Sequence, residues 1–228
     1  RLDDLLRGGL FTSDVTEVSG HSGSGKTQLC MTAAAAVVVR TPGLVYYVDT
    51  VGSCSAKRLA EIVDAHVGSH ADVSPVVAEC ISRVQIRKAF RASDVLAVLA
   101  EVEAALAHVT SHDVEDSPAE GLAALFMKCQ PVLVVVDSVS AVLTPELGGT
   151  KNAAGHALMM DMAASLRRIA SVYAMAVLVT NGSVVDRSAM GATMPALGPS
   201  WLSVPDTRVW LVDGEAYLTQ SQRLVGIP

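Results

Sequence analysis

Eight residues near the N-terminus have the types and the spacing of a loop that binds phosphate. Residues 20–27 read GHSGSGKT, which fits the pattern G-x-x-x-x-G-K-[ST], and they lie between a β-branched run and an alanine-rich run. Glycines let a backbone curl around a phosphate, and the free N–H groups at the start of a helix attract the anion. The alternative is a glycine-rich turn that binds nothing. We favour a nucleotide site formed by Gly20, His21, Ser22, Gly23, Ser24, Gly25, Lys26, Thr27 and Gln28.

Two acids end predicted strands and are candidates for holding a metal ion near that loop. The run PVLVVVD ends at Asp137, and Mg²⁺ on nucleotide phosphates normally needs an acid from a strand beside the loop. We therefore predict that Thr27 and Asp137 hold Mg²⁺, that Ser138 assists by a hydrogen bond, and that Lys26 reaches the terminal phosphates. The alternative for Asp137 is a carboxylate that caps a turn. Asp49, which ends LVYYVD, is open between the same two roles.

The composition predicts one domain whose surface as a whole does not attract nucleic acid. The chain has 228 residues, of which 50% are hydrophobic and 18% are charged, and its formal net charge is −6. This length is enough for one well-filled core and too short for two. A negative net charge repels nucleic acid, so any contact with DNA must be local. We expect a single domain over residues 1–228.

The cysteines, histidines and apolar runs argue against three other classes of protein. The four cysteines lie far apart without a C-x-x-C pair, which disfavours a zinc ribbon and a secreted disulfide framework. His66/His70 and His108/His112 are four residues apart but have no further metal-ligand pattern. The longest apolar run, residues 29–39, is too short to cross a membrane and predicts a buried helix. The chain begins without a methionine or a leader pattern, so we expect it to be part of a longer protein.

Short β-branched runs alternate with stretches of helical period, which is the pattern of a parallel sheet wrapped by crossover helices. The predicted strands are residues 15–20, 44–49, 83–90, 131–137, 174–180 and 207–213. The strands near residues 134 and 177 are apolar almost throughout, so we expect them at the centre of the sheet.

The stretches between the strands predict helices and loops. Apolar residues recur at helical spacing over 95–109 and 158–173. We interpret Met159, Met160, Met162 and Met175 as core residues. Three segments rich in Gly, Pro, Ser and Asp are predicted to be loops: residues 108–121, 144–155 and 182–200. The last two follow strands, at the edge of the sheet where α/β proteins bind ligands.

The order of these segments resembles the ATPase core of the RecA-type recombinases. The resemblance is carried by LDDLLRGGLFTSDVTEVSGHSGSGKTQ, LVYYVDT, PVLVVVDSVSAVLTPELGG, ALMMDMAASLRRIA with MAVLVTN, and PALGPSWLSVPDTRVWL. It covers nearly the whole chain and is weakest over residues 64–128. GKTQ is typical of the eukaryotic branch, and PALGPSW is typical of the D-type (delta) paralogues of the strand-exchange recombinase. The implied fold is an α/β P-loop NTPase with a RecA-like core, in which helices flank a mostly parallel, twisted sheet.

The resemblance implies a role in DNA repair by homologous recombination, in the nucleus, within a hetero-oligomer of recombinase paralogues. It implies ATP and Mg²⁺ as cofactors and two DNA-facing loops, residues 144–155 and 182–200. The basic residues of these loops are Lys151 and Arg187, so we expect weak, salt-sensitive binding of single-stranded DNA by the chain alone. Trp201, which borders the second loop, either stacks on a base or packs in the core. We expect no counterpart of the family's small N-terminal domain in these residues.

Two positions depart from the family pattern where ATP hydrolysis depends on it. The family has a glutamate that activates the attacking water where this sequence has Val51, and a glutamine that senses the γ-phosphate where it has Gly182. A missing general base lowers the rate by about 10² to 10⁴, so we expect ATP binding with weak or partner-dependent hydrolysis. Two alternatives stay open. One is an active DNA-dependent ATPase or helicase-like motor whose acid is Glu79, Glu101 or a neighbour's, and the other is an interaction module with a vestigial phosphate loop.

Overall fold

The computed structural model describes residues 2–6, 8–68, 73–110, 121–148, 152–185, 193–212 and 215–221. Its strands are β1 (Val15–Gly20), β2 (Leu44–Asp49), β3 (Val84–Lys88), β4 (Pro131–Asp137), β5 (Ala176–Asn181), β6 (Ser183–Val185), β7 (Thr193–Pro195), β8 (Thr207–Val212) and β9 (Glu215–Ser221). Seven of them form one sheet in the order β3-β2-β4-β5-β1-β8-β9, and β6 and β7 form a separate hairpin. Neighbours in the large sheet are parallel except for β8 and β9, which are antiparallel.

The order of strands confirms that the two most apolar runs are central. β4 and β5 are neighbours in the middle of the sheet, and β5 is buried along its whole length. A strand covered on both faces has no solvent side, which is why these runs lack the alternation of half-exposed strands. The bounds of β1, β2 and β4 agree with those predicted. β9 was not predicted, and it extends the sheet beyond β8 at the edge.

Helices cover both faces of the sheet. They are α1 (Leu2–Leu5), α2 (Lys26–Arg40), α3 (Ala56–Val67), α4 (Val73–Ser82), α5 (Ala92–Thr110), α6 (Gly121–Lys128), α7 (Val139–Leu143) and α8 (Asn152–Tyr173). One core contains buried side chains of α2, α3 and α4, and a second core on the other face contains those of α5 to α8. The buried helix predicted over residues 29–39 is α2. Among the described helices, none combines the length and the apolar character that spanning a membrane requires.

The predicted loops differ from the structure in part. α8 begins at Asn152, inside the predicted loop 144–155, and the predicted loop 182–200 contains the β6–β7 hairpin and a 3₁₀ turn at Pro199–Trp201. Most of the predicted loop 108–121 lies outside the described residues. The prediction of core methionines is confirmed for Met159, Met162 and Met175, whereas Met160 is exposed on α8 and the prediction is wrong there.

The topology brings the ends of several strands to one edge of the sheet. Because β1, β2, β4 and β5 are parallel, their carboxyl ends lie at the same edge. Asp49 and Asp137 are register partners there, on the neighbouring strands β2 and β4. Ser19 is the register partner of Asn181, one residue before the predicted phosphate loop begins at Gly20. The residues predicted from separate motifs are therefore placed close together by the sheet.

Candidate nucleotide-binding site

The predicted phosphate loop connects β1 to α2, and its backbone has the shape that its glycines permit. At Gly20 the chain passes so close to β8 that a Cβ atom would lie 2.5 Å from the Leu211 carbonyl oxygen. Gly25 immediately precedes α2 with a left-handed φ of 96°, a conformation that costs other residues energy. The peptide groups at the start of α2 therefore point into the loop without a side-chain cap, as an anion site requires.

Lys26 folds its side chain over this loop. Its ammonium donates to the carbonyl oxygens of Gly20 at 2.8 Å and His21 at 2.6 Å. An ammonium group has three donors, so a third remains for a ligand. Burial lowers the pKa of Lys26, and the negative charge of nearby Asp137 partly offsets this effect. A bound anion would supply the counter-charge that this partly desolvated cation lacks.

The next two residues of α2 face the turn that follows β2. The Thr27 hydroxyl lies 3.5 Å from the Ser53 hydroxyl, at the limit of a hydrogen bond. The Gln28 side-chain oxygen accepts a hydrogen bond from Arg58 Nε at 3.2 Å. Arg58 also pairs with Glu61 at 2.9 Å on the exposed side of α3. The turn after β2 and the first turn of α3 therefore form one wall beside the phosphate loop.

Asp137 is buried at the carboxyl end of β4 and is held from both sides. Its Oδ2 accepts from the Tyr47 hydroxyl at 2.9 Å, and its Oδ1 accepts from the Thr180 hydroxyl at 2.5 Å. Burial and nearby negative groups raise the pKa of Tyr47, so this hydroxyl stays protonated as a donor. Carboxylate oxygens accept more than one hydrogen bond each. The two hydroxyls therefore orient Asp137 without exhausting its capacity to bind a further donor or a cation's water.

Asp49 caps the turn that follows β2. Its Oδ1 accepts from the backbone N–H groups of Val51 at 3.2 Å, Gly52 at 2.8 Å and Ser53 at 3.2 Å. Its Oδ2 accepts from the N–H of Cys54 at 3.0 Å. The carboxylate is buried and makes four hydrogen bonds within the turn. The sequence left two roles open for Asp49, metal binding and turn capping, and in the structure its carboxylate caps the turn.

The donor set is suited to Mg²⁺ that arrives with a nucleotide. In the part of the chain that the structure describes, no three His, Cys, Asp or Glu side chains come together as a metal site. Mg²⁺ is usually held by one or two protein oxygens together with substrate phosphates. Thr27 offers one hydroxyl and Asp137 one carboxylate, and the negative charge of Asp137 acts on the nearby Lys26 ammonium. These residues fit ATP–Mg²⁺.

Comparison with known families agrees with this arrangement. A family model described as Rad51 matches residues 1–106 and 79–199 of the chain. The chain belongs to the Rad51 family. The predicted resemblance to RecA-type recombinases is confirmed at the level of the family, and so is the predicted α/β fold with a RecA-like core.

Individual Rad51-family relatives match most of the chain. The Bos taurus protein named DNA repair protein RAD51 homolog 4 is 39% identical over 210 residues, which cover 92% of this chain and 58% of the relative. The Mus musculus protein of the same name is 35% identical over 226 residues, covering 98% and 63% respectively. The Homo sapiens DNA repair protein RAD51 homolog 2 is 26% identical over 189 residues, which cover 79% of this chain and 44% of the relative. The chain therefore spans less than two thirds of the length of these relatives.

In this Rad51-family chain, Val51 lies in the turn capped by Asp49, and its side chain is 50% exposed. An aliphatic side chain accepts no proton and holds no water by a hydrogen bond. The ring of Phe90, which follows β3, is exposed and lies beside the same turn, because a Cβ atom on Gly52 would be 3.9 Å from it. The surface at this position is therefore apolar rather than acidic.

The two acids proposed as alternative sources of a base are placed elsewhere. Glu101 lies more than two turns into α5 and pairs with Arg87 at 3.0 Å on the surface. Glu79 lies on α4, which leads into the amino end of β3, at the opposite edge of the sheet from the phosphate loop. Neither residue is brought to the site by the fold of this chain.

Ser138 was predicted to assist by a hydrogen bond, whereas Ser140 and Thr180 at the same edge were not singled out from the sequence. The Ser138 hydroxyl donates to the Thr180 carbonyl oxygen at 3.0 Å and lies 2.9 Å from the Ser140 hydroxyl. The backbone N–H of Gly182 donates to the Ser140 hydroxyl at 2.7 Å. Period-two alternation could have indicated one further residue, Tyr47, because it lies two residues before Asp49 and so shares its face of β2. Ser140 has no comparable signal in a single sequence.

Of the residues considered for contact with DNA, the structure describes only Trp201. Trp201 is buried, and its indole N–H donates to Glu17 Oε1 at 3.0 Å, so it packs in the core and is not available for base stacking. Lys151 and Arg187 lie outside the described residues, and their role in binding DNA stays a prediction.

Proposed function

We propose that this chain is an ATP-binding subunit of a recombinase-paralogue complex that acts in homologous-recombination repair of DNA double-strand breaks. The names of its relatives as DNA repair proteins, RAD51 homolog 4 among them, support this role and the D-type branch. The nuclear location and the single domain over residues 1–228 belong to the same proposal. The observation that carries it is a fully shaped phosphate loop beside a turn whose side chain at position 51 cannot act as a base.

In this proposal, ATP and Mg²⁺ act mainly as a clamp at a boundary with a neighbouring paralogue. The backbone of residues 20–28 and the Lys26 ammonium bind the phosphates, while the Thr27 hydroxyl and Asp137 hold Mg²⁺. Mg²⁺ supplies charge neutralisation at the phosphates when it is bound. Tyr47 and Thr180 keep the Asp137 carboxylate oriented. Binding a nucleotide at a boundary stabilises the assembled state because the ligand favours the state that it contacts most.

Hydrolysis is slow in this proposal because the chain has no group at position 51 that accepts a proton from water. A general base contributes a factor of about 10² to 10⁴ to such a step. Val51→Glu should therefore raise the steady-state rate of ATP hydrolysis by at least about tenfold, while Val51→Gln, which adds bulk without a base, should not. Equal rates for the valine, glutamine and glutamate forms would contradict the assignment of this position.

Binding of single-stranded DNA by the chain alone is weak in this proposal. The net charge is −6, and the predicted loops contribute only Lys151 and Arg187. Each phosphate contact adds to the salt dependence of binding, so few basic contacts imply low affinity and a shallow slope. Partner paralogues would supply the remaining contacts.

Equilibrium binding of ATP–Mg²⁺ by calorimetry tests the core of the proposal. Lys26→Ala should abolish binding, because the substitution removes the cation that meets the phosphates. Lys128→Ala is a matched control, since Lys128 is an exposed lysine at the end of α6, and binding should be unchanged. ATP binding that survives in Lys26→Ala at the wild-type affinity would overturn the nucleotide site. Absence of ATP–Mg²⁺ binding by the wild-type chain would instead favour an interaction module with a vestigial loop.

A further inference from the structure

The backbone donors of the turn that follows β2 are all occupied within the chain. Asp49 accepts the N–H groups of the four residues from Val51 to Cys54, at distances between 2.8 and 3.2 Å. The side chain of Val51 has no donor to add. The Ser53 hydroxyl lies toward Thr27, at 3.5 Å, where Mg²⁺ is proposed. This turn therefore borders the site with an apolar side chain and with peptide groups that are already satisfied.

The donors at the ends of β4 and β5 are occupied in the same way. The Ser138 hydroxyl donates to the Thr180 carbonyl oxygen at 3.0 Å, and the Ser138 N–H donates to the Thr50 hydroxyl at 2.5 Å. The N–H of Gly182 donates to the Ser140 hydroxyl at 2.7 Å, and a glycine has no side chain that could reach a ligand. These bonds join the strand ends to one another. A ligand at this edge would have to break one of them to gain a donor.

The phosphate loop differs from these two borders because its donors point into the site. α2 begins at Lys26 without a side-chain cap, so the N–H groups of its first turn have no partner within the helix. The Lys26 ammonium uses two of its three donors on carbonyl oxygens of the loop. In this motif the backbone groups bind the α- and β-phosphates of a nucleotide. A γ-phosphate is one phosphate further out, so it depends on Lys26, on Mg²⁺ and on the borders described above.

A second lysine lies near the turn but is separated from Asp137 by a strand. Lys88 is exposed at the carboxyl end of β3, and its charge partly offsets the effect of burial, which raises the pKa of the Cys54 thiol. In the sheet, β2 lies between β3 and β4, which ends at Asp137. Lys26, by contrast, is close enough to Asp137 for that carboxylate to act on its pKa. We therefore assign no phosphate contact to Lys88.

We propose that the site binds nucleoside diphosphates about as tightly as nucleoside triphosphates, because it recognises the α- and β-phosphates and not the γ-phosphate. The proposal rests on the proposed function, since the loop must first bind a nucleotide. One hydrogen bond from a protein to a charged group changes an equilibrium constant by a factor of roughly 10 to 150. Without such a bond to the γ-phosphate, the two dissociation constants differ by less than about tenfold. The proposed clamp then depends on the presence of a nucleotide and persists after slow hydrolysis.

Calorimetric titration of the full chain with ADP, AMP and the β,γ-imido analogue of ATP, each with Mg²⁺ in excess, tests this recognition. The analogue keeps its third phosphate throughout the titration, so hydrolysis does not affect the comparison. The dissociation constants of ADP and of the analogue should differ by less than about tenfold. AMP lacks the β-phosphate that the loop binds, so it should bind more weakly than ADP by at least about tenfold.

Val51→Lys should create a preference for the triphosphate, and Val76→Lys is its matched control. Val51 is 50% exposed and its N–H is held by Asp49, so the turn accommodates a lysine. Val76 is similarly exposed on α4, which leads into the amino end of β3 at the opposite edge of the sheet. A cation beside the site favours the ligand that has one more negative charge. Val51→Lys should therefore shift the ratio of affinities toward the triphosphate by at least about threefold, and Val76→Lys should leave it unchanged.

Each contrary result is distinguishable. A preference of the wild type for the triphosphate of about tenfold or more would overturn the proposed recognition and leave the nucleotide site intact. Equal affinities for AMP and ADP would also overturn it, because the β-phosphate would then not be recognised. An unchanged ratio in Val51→Lys, with ADP binding retained, would show that the turn does not border the γ-phosphate and would remove the basis of the proposal. Absence of binding by all three nucleotides would overturn the proposed function as well.

Discussion

Replacing Glu17 by alanine should destabilise the folded chain strongly, although Glu17 lies outside the proposed nucleotide site. Glu17 is on β1 and is completely buried. Its Oε1 accepts from the side-chain amide of Asn181 at 2.7 Å and from the indole N–H of Trp201 at 3.0 Å, and its Oε2 accepts from Arg208 Nε. One carboxylate therefore connects β1, β5, β8 and the 3₁₀ turn at Pro199–Trp201, where the second predicted DNA loop ends.

The cost follows from what the substitution leaves behind. Arg208 is 5% exposed, and without Glu17 its charge has no counter-charge within the network. Removing one partner of a buried ion pair costs about 3–5 kcal/mol, because the remaining charge stays desolvated. For a chain of this length, 1 kcal/mol corresponds to a shift of roughly 2–4 °C in the melting temperature. The expected loss is therefore at least about 6 °C.

Urea-induced unfolding measures the loss, with Glu103→Ala as the matched control. Glu103 forms a two-point ion pair with Arg168 between α5 and α8, but Arg168 is half-exposed. Such pairs contribute about 0–1 kcal/mol. In the double variant Glu17→Leu/Arg208→Met neither charge remains, and its stability should exceed that of Glu17→Ala. A Glu17→Ala chain no less stable than Glu103→Ala would refute the argument that this buried network joins the segment around Trp201 to the sheet.

Three further predictions concern the turn and the strand end at the site. Asp49→Asn should lower stability by about 1–3 kcal/mol in urea unfolding, since an amide cannot accept all four N–H groups of the turn, and it should leave the Mg²⁺ requirement of ATP binding unchanged. Tyr47→Phe should cost about 1 kcal/mol, because Asp137 loses a buried donor, and calorimetry should find Mg²⁺-dependent ATP binding weakened as well. Burial and the charge of Asp49 raise the pKa of Cys54 to about 11 from an ordinary 9.0, so its thiolate forms only at higher pH. Alkylation of Cys54 at pH 8, followed by peptide mass spectrometry, should be at least about tenfold slower than in the unfolded chain and should accelerate as the pH rises toward 11.

The sequence predicts the central strands well because burial determines their composition. β4 and β5 are nearly continuous apolar runs, so their type and central position are predictable; the bounds of β4 agree with the prediction, whereas β5 was predicted over 174–180 and spans Ala176–Asn181. β9 reads EAYLTQS, and its exposed residues alternate with half-buried ones at the edge of the sheet. Its pairing with β8 compensates for this weak local pattern, and pairing is not visible in a single sequence. The β6–β7 hairpin, three residues a strand, was missed for the same reason.

The candidate site divides in a similar way. The phosphate loop is a contiguous motif, and Asp137 ends an apolar strand, so both are found by local rules. The partners that hold them are distant in sequence: Tyr47 is 90 residues from Asp137, and His21 is 162 residues from Ser183. Such pairs follow from strand order and register, which local patterns do not specify. The role of Asp49 was undecidable for the same reason, since it depends on where four backbone N–H groups point.

Binding and hydrolysis are physically separable in this site. The Asp137 carboxylate, which is proposed to hold Mg²⁺ at the end of β4, is held by buried hydrogen bonds from β2 and β5, so changing it disturbs the core. The residue at position 51 has its backbone fixed by Asp49, but its side chain is half-exposed. The turn therefore keeps its shape whichever side chain lies at position 51. The stability of the folded chain neither requires a general base at this position nor excludes one. A nucleotide clamp can thus lose hydrolysis by one surface substitution while its binding geometry remains, which is the arrangement that we propose for this chain.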